Sequence, residues 1–508
     1  MTTAYSRHLR GCLVLAIVTA FTALYAAAQA PLGTFEKDGD IGRVLHPGKA
    51  SLDAATGVYT VSGSGENMWA DKDAFHFVWK KMEGDVALEA DIAFIDTTGN
   101  EHRKAALLIR QTLEPGSRYV DVARHGDGLT SLQYRDSAGA ISHEVQSNIS
   151  APQRVRIEKR GQYAYVYVSD ASGRLAPSGA AMRVPFDGAF YVGLGVCAHD
   201  KDVTETATFS HVKLEQLPAA AGQTVLYSTL ETVKIASTDR RVALVAAEHF
   251  EAPNWSPDGS TIFYNQGGTI RRITRASNPT ASGPSTIVAT GAQVHCNNDH
   301  GLSPDGKLLA ISDQSSPDGK SRIYIVPAEG GTPRLVTPDG PSYWHGWSPD
   351  GKTLAFTGQR AGEFDIYVIP AAGGVETRLT TAKGLDDGPE FSPDGQFIYF
   401  NSQRTGLMQI WRMRTDGAAQ EQVIADQSND WFPHISPDGK WMVFLAYQSD
   451  VSGHPANQDV ELRLMSLSDK KVTVLAKLFG GQETINVPSW SPDSKEVAFV
   501  SYERLPAP

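Results

Sequence analysis

Histidines, carboxylates and carboxamides recur at six places in the second half of this 508-residue chain, each a few residues ahead of the same short phrase. The places are Glu251 and Asn254; His295, Asn297, Asn298, Asp299 and His300; Tyr343, Trp344 and His345; Asp386, Asp387 and Glu390; Asn429, Asp430, Trp431 and His434; Gln482, Glu483 and Asn486. Asp313, Arg360, Arg404 and His454 follow the phrases at a greater distance. Imidazole and carboxylate are the groups that bind divalent metals and move protons. Trp344, Trp431 and Tyr343 offer flat apolar faces on which a sugar ring can lie.

This pattern yields three sets of candidates. Asp386, Asp387, Glu390, Asp430 and His434 are candidate acids and bases. Two carboxylates flanking a glycosidic bond would hydrolyse it. A lyase would instead use His300, His345 or His434 as base, beside a uronate neutralised by metal or arginine. Asn298, Asp299, Tyr343, Trp344, Arg360, Arg404, Trp431 and His454 are candidate ligand contacts. His300 and His345 are candidate ligands of a divalent metal ion, the one cofactor this set suggests. Structural readings stand beside these. His300 and His345 lie three positions before their serines, where other copies carry Pro253, Pro389, Pro433 and Pro488, so both would also fill a repeated packing niche. Asp386 and Asp387 would serve equally to cap a turn, and Arg360 and Arg404 to tie down their own loops.

The phrases place these groups in a fold. They read Trp255-Ser-Pro-Asp-Gly259, Leu302-Ser-Pro-Asp-Gly306, Trp347-Ser-Pro-Asp-Gly351, Phe391-Ser-Pro-Asp-Gly395, Ile435-Ser-Pro-Asp-Gly439 and Trp490-Ser-Pro-Asp-Ser494. Their serines stand 44 to 47 residues apart, with one interval of 55. Such a period marks an array of supersecondary units. Pro presets φ, Asp caps the turn and Gly takes positive φ. Each turn precedes a β-rich run such as Thr353–Thr357, and each repeat has room for four strands. The expectation is an all-β chain with a six-bladed β-propeller over residues 223–505. The last phrase is followed by one strand, and two more stand ahead of the first phrase, near 224–235 and 241–245. Pairing the two ends in one blade would close the ring and remove an exposed edge. Ser316-Pro-Asp-Gly319 is out of register and reads as an ordinary loop turn. The phrase turns would lie on one side of the disc and the polar groups around the central funnel on the other.

Residues 31–216 lack the phrase and alternate with period two, as in Val86–Phe94, Arg154–Glu158 and Tyr163–Val168. Short half-buried strands with turns between them predict an antiparallel sandwich. Residues 217–222 would link it to the propeller. Residues 1–28 read as a signal peptide: Arg7 and Arg10 precede an apolar run from Cys12 to Leu24, then Ala26-Ala-Ala28. The expected product is periplasmic or secreted, with no membrane insertion. Cys197 and Cys296 would be its two cysteines and are not expected to pair. The net charge of −11 grows more negative without Arg7 and Arg10, which disfavours nucleic acid and anionic lipid as partners.

The six repeats resemble the TolB-type propeller of Gram-negative envelopes, whose repeat reads aromatic-Ser-Pro-Asp-Gly-Lys, as at Trp347–Lys352. The resemblance implies a periplasmic protein-binding scaffold, although the TolB N-terminal domain differs from this one. The chain looks closer to exported TolB-like proteins labelled biopolymer transporters, through Asn298-Asp-His300, Trp344-His345, Asp386-Asp-Gly-Pro389 and Trp431-Phe-Pro-His434. The repeat is also similar to that of the oligogalacturonate lyase group, which holds a divalent metal through histidines and a glutamine; that clustered motif is not reproduced in this chain, where Gln293-Val-His295 is only a fragment of it. The N-terminal part resembles concanavalin-like jelly-roll modules through Tyr59-Thr-Val61, Met68-Trp69, Gly84-Asp-Val86, Ala105–Arg110 and Tyr191–Gly195. There Trp69, Trp79 and Arg110 would either contact a sugar or belong to the core.

Two functions are open on this footing. One is an exported glycan-recognising protein that holds an oligo- or polysaccharide in the funnel, as a binder, glycoside hydrolase or polysaccharide lyase. The other is a non-catalytic scaffold that receives a protein partner. A rim dominated by His, Asp, Asn and Arg favours the small polar ligand, because peptide-binding surfaces carry more apolar area.

Overall fold

Each Ser-Pro-Asp-Gly phrase folds into a turn sealed by its own side chains. In the third copy the Ser348 hydroxyl donates to Asp350 Oδ1 at 2.7 Å and accepts the Thr353 amide at 2.9 Å. The Lys352 amide donates to Asp350 at 3.1 Å, and the Gly351 amide to the Ser348 carbonyl at 2.8 Å. Gly351 sits at φ 69°, a left-handed value that glycine adopts without a Cβ penalty. The same serine–aspartate bond closes the copies at Ser256, Ser303, Ser392, Ser436 and Ser491. Ser494 takes the glycine place in the last copy at φ 61°. The out-of-register turn at Ser316 stays in a loop, where Asp318 pairs with Arg322 at 2.7 Å.

The computed structural model describes residues 32–179, 181–218, 224–275 and 284–506. The expected signal peptide, and most of the expected linker, lie outside these residues. Among them the structure is all β except for one 3-10 turn at Gln482–Thr484. Among the described residues no helix is long and apolar enough to cross a membrane.

The turns join the first two strands of five antiparallel four-stranded sheets, the blades of a β-propeller. Their first strands are Phe250–Trp255, Cys296–Leu302, Ser342–Trp347, Asp386–Phe391 and Asn429–Ile435. These five strands contact one another in succession around the ring. Indole N–H groups tie neighbouring blades: Trp347 donates to the Gly301 carbonyl at 3.0 Å and Trp490 to the His434 carbonyl at 2.8 Å.

The ends of the ring meet. Thr224–Lys234 pairs antiparallel with Glu496–Pro506 along its whole length and with Arg240–Ala246 on its other side. Arg240 and Glu231 form a buried ion pair at 2.7 Å there, and Ser501 donates to the same carboxylate at 2.5 Å. Arg240–Ala246 also pairs in parallel with His143–Gln146, so these strands belong to a ten-stranded sheet that runs into the N-terminal part.

A second, eight-stranded sheet shares one apolar core with the N-terminal strands of that large sheet, through Val61, Leu88 and Ile157 on one and Leu107, Val122 and Leu194 on the other. Arg110 belongs to the interior: fully buried, it bonds Asp73 at 3.1 Å, and Arg135 reaches the same carboxylate at 2.8 Å. Trp79 stacks on Phe77. Cys197 and Cys296 are buried and unpaired.

Candidate functional site

The device that builds the site is a register break repeated in all five first strands. Pairing slips between Glu251 and Asn254, Cys296 and His300, Trp344 and Gly346, Asp387 and Glu390, and Trp431 and His434. Such a bulge inserts an unpaired residue and re-aims its neighbours. Ala252, Gly388 and Phe432 take left-handed φ values of 55°, 61° and 55° inside three of these breaks. Chemically similar residues two or three apart are thereby sent to different places.

Residues at or ahead of the breaks surround a cavity of about 540 Å³. Six sequence candidates line it: Asn298, Asp299, Tyr343, His345, Asp387 and His454. Asp387 is their hub. Its Oδ1 accepts the Thr357 hydroxyl at 2.7 Å and the Gly388 amide at 2.8 Å, with His345 Nε2 3.4 Å away. Its other oxygen lies 3.6 Å from His454 Nε2. Asp299 stands 4.0 Å from His345 and accepts from Asn486 at 2.5 Å.

The charges follow from this geometry. Burial alone would raise Asp387, but the hydrogen bond and charge of His345, with His454 and Thr357, hold it below the usual carboxylate range. Burial would lower His345, and the two aspartates outweigh it and raise it. Burial dominates at Asp299, which is pushed up to about 6, with His345 opposing and Asp387 adding. The cavity floor therefore holds an ionised carboxylate braced by imidazole, beside a second carboxylate that takes up a proton near neutrality.

The other candidates are placed elsewhere, which corrects their expected grouping around one funnel. Asp386 is buried in an ion pair with Arg404 at 2.9 Å, and that arginine also reaches Gln420 and stacks over Trp411. Glu390 bonds His434 across two blades, and the other nitrogen of His434 meets the Ile485 carbonyl. Arg360 is bound by Glu376 at 2.7 Å and by the Pro341 carbonyl at 2.8 Å. Trp344 and Trp431 are core side chains, the latter with the His454 ring edge-on at 4.4 Å. Asp430 is fully buried, and among the described residues neither oxygen makes a hydrogen bond, Arg463 Nη1 standing 3.9 Å from Oδ1; burial, with the charge of Asp426 and against that of Arg463, raises it to about 8.

His300 and His345 do not come together as metal ligands. His300 is fully buried, with Nδ1 3.1 Å from the Asn298 carbonyl, and burial lowers it to about 4. His345 is engaged with Asp387 instead. Their equal spacing from the phrase is undone by the differing breaks: His345 is itself the residue skipped in its blade, whereas His300 lies after the break in its own.

Sequence reasoning missed several lining residues. Thr357 and Phe364 lie on or beside strands that read as ordinary β-structure, and Leu385 and Gln314 occupy unremarked loops. Glu251, Gln482 and Glu483 stood among the polar residues ahead of the phrases but were not singled out.

The TolB beta propeller domain profile matches residues 340–469. An uncharacterised protein of Agrobacterium fabrum is 49% identical over 292 residues, covering 58% of this chain and 97% of that protein. A solved structure from Agrobacterium tumefaciens, named as a candidate TolB, is 50% identical with a TM-score of 0.53, covering 55% of this chain and 99% of that one. On this likeness, which spans nearly the full length of both relatives, the chain belongs to the TolB-like β-propeller family.

Proposed function

We propose that this chain is a non-catalytic scaffold whose funnel receives a segment of a partner protein in the periplasm. One observation carries the reading. Of the five residues first named as candidate acids and bases, Asp386, Glu390 and His434 are consumed by contacts inside the ring, and Asp430 is sealed in the core; of the further candidate bases, His300 is buried against a carbonyl and His345 is engaged with Asp387. The fifth, Asp387, is held ionised by a threonine, a backbone amide and two histidines, an arrangement suited to fixing a donor rather than delivering a proton. The cavity walls add Tyr343, Phe364 and Leu385, apolar surface of the kind a peptide side chain needs. The likeness to a candidate TolB agrees with a binding role.

A glycan in the same funnel is the second reading. It is favoured by the floor of Asn298, Asp299, His345 and Asp387, a set able to bond hydroxyl groups. Two measurements separate them. Wild-type protein and the Tyr343→Ala, Phe364→Ala double variant are used to capture partners from envelope extract, and acidic oligosaccharides are incubated with both. The scaffold reading expects a discrete protein held by wild type and lost by the variant, with no cleavage. New reducing or unsaturated ends that vanish in Asp387→Asn would establish the enzyme instead.

We also infer that Thr224–Lys234, Arg240–Ala246 and Glu496–Pro506, with the bridge between Trp490 and Val497, make a sixth blade closed from both chain ends. Residues 31–216 would then form the concanavalin-like sandwich, 217–222 the linker and 223–505 the propeller. Export through a signal peptide over residues 1–28 would be tested by the N-terminal mass of protein recovered from the periplasm.

A further inference from the structure

We propose that His249, Glu251 and Glu483 bind one divalent transition-metal ion, of the Mn²⁺ or Zn²⁺ class, at the rim of the funnel. One ligand atom from each side chain falls within 4.8 Å of the other two. Around a tetrahedral ion with bonds of about 2.1 Å, ligand atoms stand roughly 3.4 Å apart, so small side-chain rotations close the set.

The topology delivers these groups from two ends of the ring. His249 and Glu251 flank the start of the first blade's opening strand, Phe250–Trp255. Glu483 lies on the 3-10 turn Gln482–Thr484, within the interval between Ser436 and Ser491 that is the longest of the series.

Among the described residues no basic group other than His249 pairs with either carboxylate. Glu483 Oε2 is shut off from solvent and makes no hydrogen bond. Glu251 is half-buried and makes no side-chain hydrogen bond among the described residues, and the charged groups acting on it, Glu483 and Asp299, are both acidic. A cation set between them would offset the burial and mutual repulsion of such a pair. The imidazole is held for the task. His249 lies parallel to Tyr502 with ring centres 5.5 Å apart, its Nε2 is 3.7 Å from Glu483 Oε1, and the Tyr502 hydroxyl is anchored on the Phe250 carbonyl at 2.9 Å.

The donor set selects the ion. Two carboxylates and an imidazole without a thiolate suit borderline divalent metals, and three protein ligands are few for Ca²⁺. Glu251 and Glu483 both line the cavity, so the free coordination positions would face whatever enters the funnel.

The test is calorimetric titration of chelator-stripped protein with Mn²⁺ and with Zn²⁺, alongside thermal unfolding in each ion. One ion per chain is expected, with a raised melting temperature. Affinity should fall at least about tenfold in Glu483→Gln and in His249→Ala; the second variant alters an exposed side chain and keeps the test valid if the first misfolds. His102→Ala, on an exposed histidine elsewhere, should bind as wild type does. No stoichiometric ion, binding unchanged in both rim variants, or binding lost in His102→Ala would overturn the proposal.

Discussion

Glu390 of the fourth blade and His434 of the fifth are joined through carboxylate and Nδ1, and the same imidazole meets the Ile485 carbonyl through Nε2. One ring thus fastens three successive stretches of the propeller. Removing either partner leaves a buried polar group without its complement. His434→Ala and Glu390→Leu are each expected to cost about 3 kcal/mol in denaturant unfolding. A loss below about 0.5 kcal/mol, the range of an exposed pair, would show that the contact does not secure the ring.

The pair at the funnel floor has its own pH signature. Asp387 lies below its ordinary 3.8 and His345 above its ordinary 6.5. Asp387 contributes stability above pH 3.8 and loses it as pH falls through its depressed folded value. His345 contributes fully below pH 6.5 and loses its share as pH rises through its raised folded value. Asp387→Asn should therefore lower the melting temperature most between pH 3.8 and 6.5, with the gap narrowing on both sides. A gap independent of pH would mark Asp387 as a packing residue only.

Asp430 has the opposite sign. Burial raises it from 3.8 to about 8, so the folded chain takes up a proton that the unfolded chain releases. Stability from this group falls as pH rises between those values. Asp430→Asn removes the slope, and its melting temperature should exceed that of wild type at pH 9. Glu503, which burial also raises to about 8, keeps a residual slope in both proteins. A variant less stable than wild type throughout would contradict this assignment.

Ala252 tests the register breaks. It is fully buried at φ 55°, where a β-branched side chain is strongly disfavoured. Ala252→Val should destabilise by about 2 kcal/mol or more through backbone strain and overpacking. It should also disturb the neighbouring Glu251 and so weaken metal binding at the rim. An unperturbed melting temperature would mean that the first strand can adopt regular pairing there.

The propeller was legible because its turns are chemically explicit: Ser, Pro, Asp and Gly each perform a separate local task, and the task repeats. The side-chain partners of His300, His345 and His434 were not legible, because they depend on bulges with no compositional mark. Three histidines a few residues ahead of a phrase reached a carbonyl, a carboxylate at the funnel floor and a carboxylate between blades. Arg360 and Arg404 did what the plainer reading allowed, each holding an acid close at hand, Glu376 and Asp386. Thr357 was invisible for another reason: its hydroxyl matters only because the next blade sets Asp387 opposite it.

The parallel pairing of Val145 and Gln146 with Arg240 and Arg241 has a mechanical consequence. Arg240–Ala246 is also the neighbour of the strand that pairs with the C-terminal strand, so the N-terminal sheet is continuous with the seam where the two chain ends meet. Tension applied to the N-terminal part would be borne in shear by a ladder of backbone bonds. Load on the N-terminal strands would thus pass through Arg240–Ala246 and Thr224–Lys234 to the seam with Glu496–Pro506.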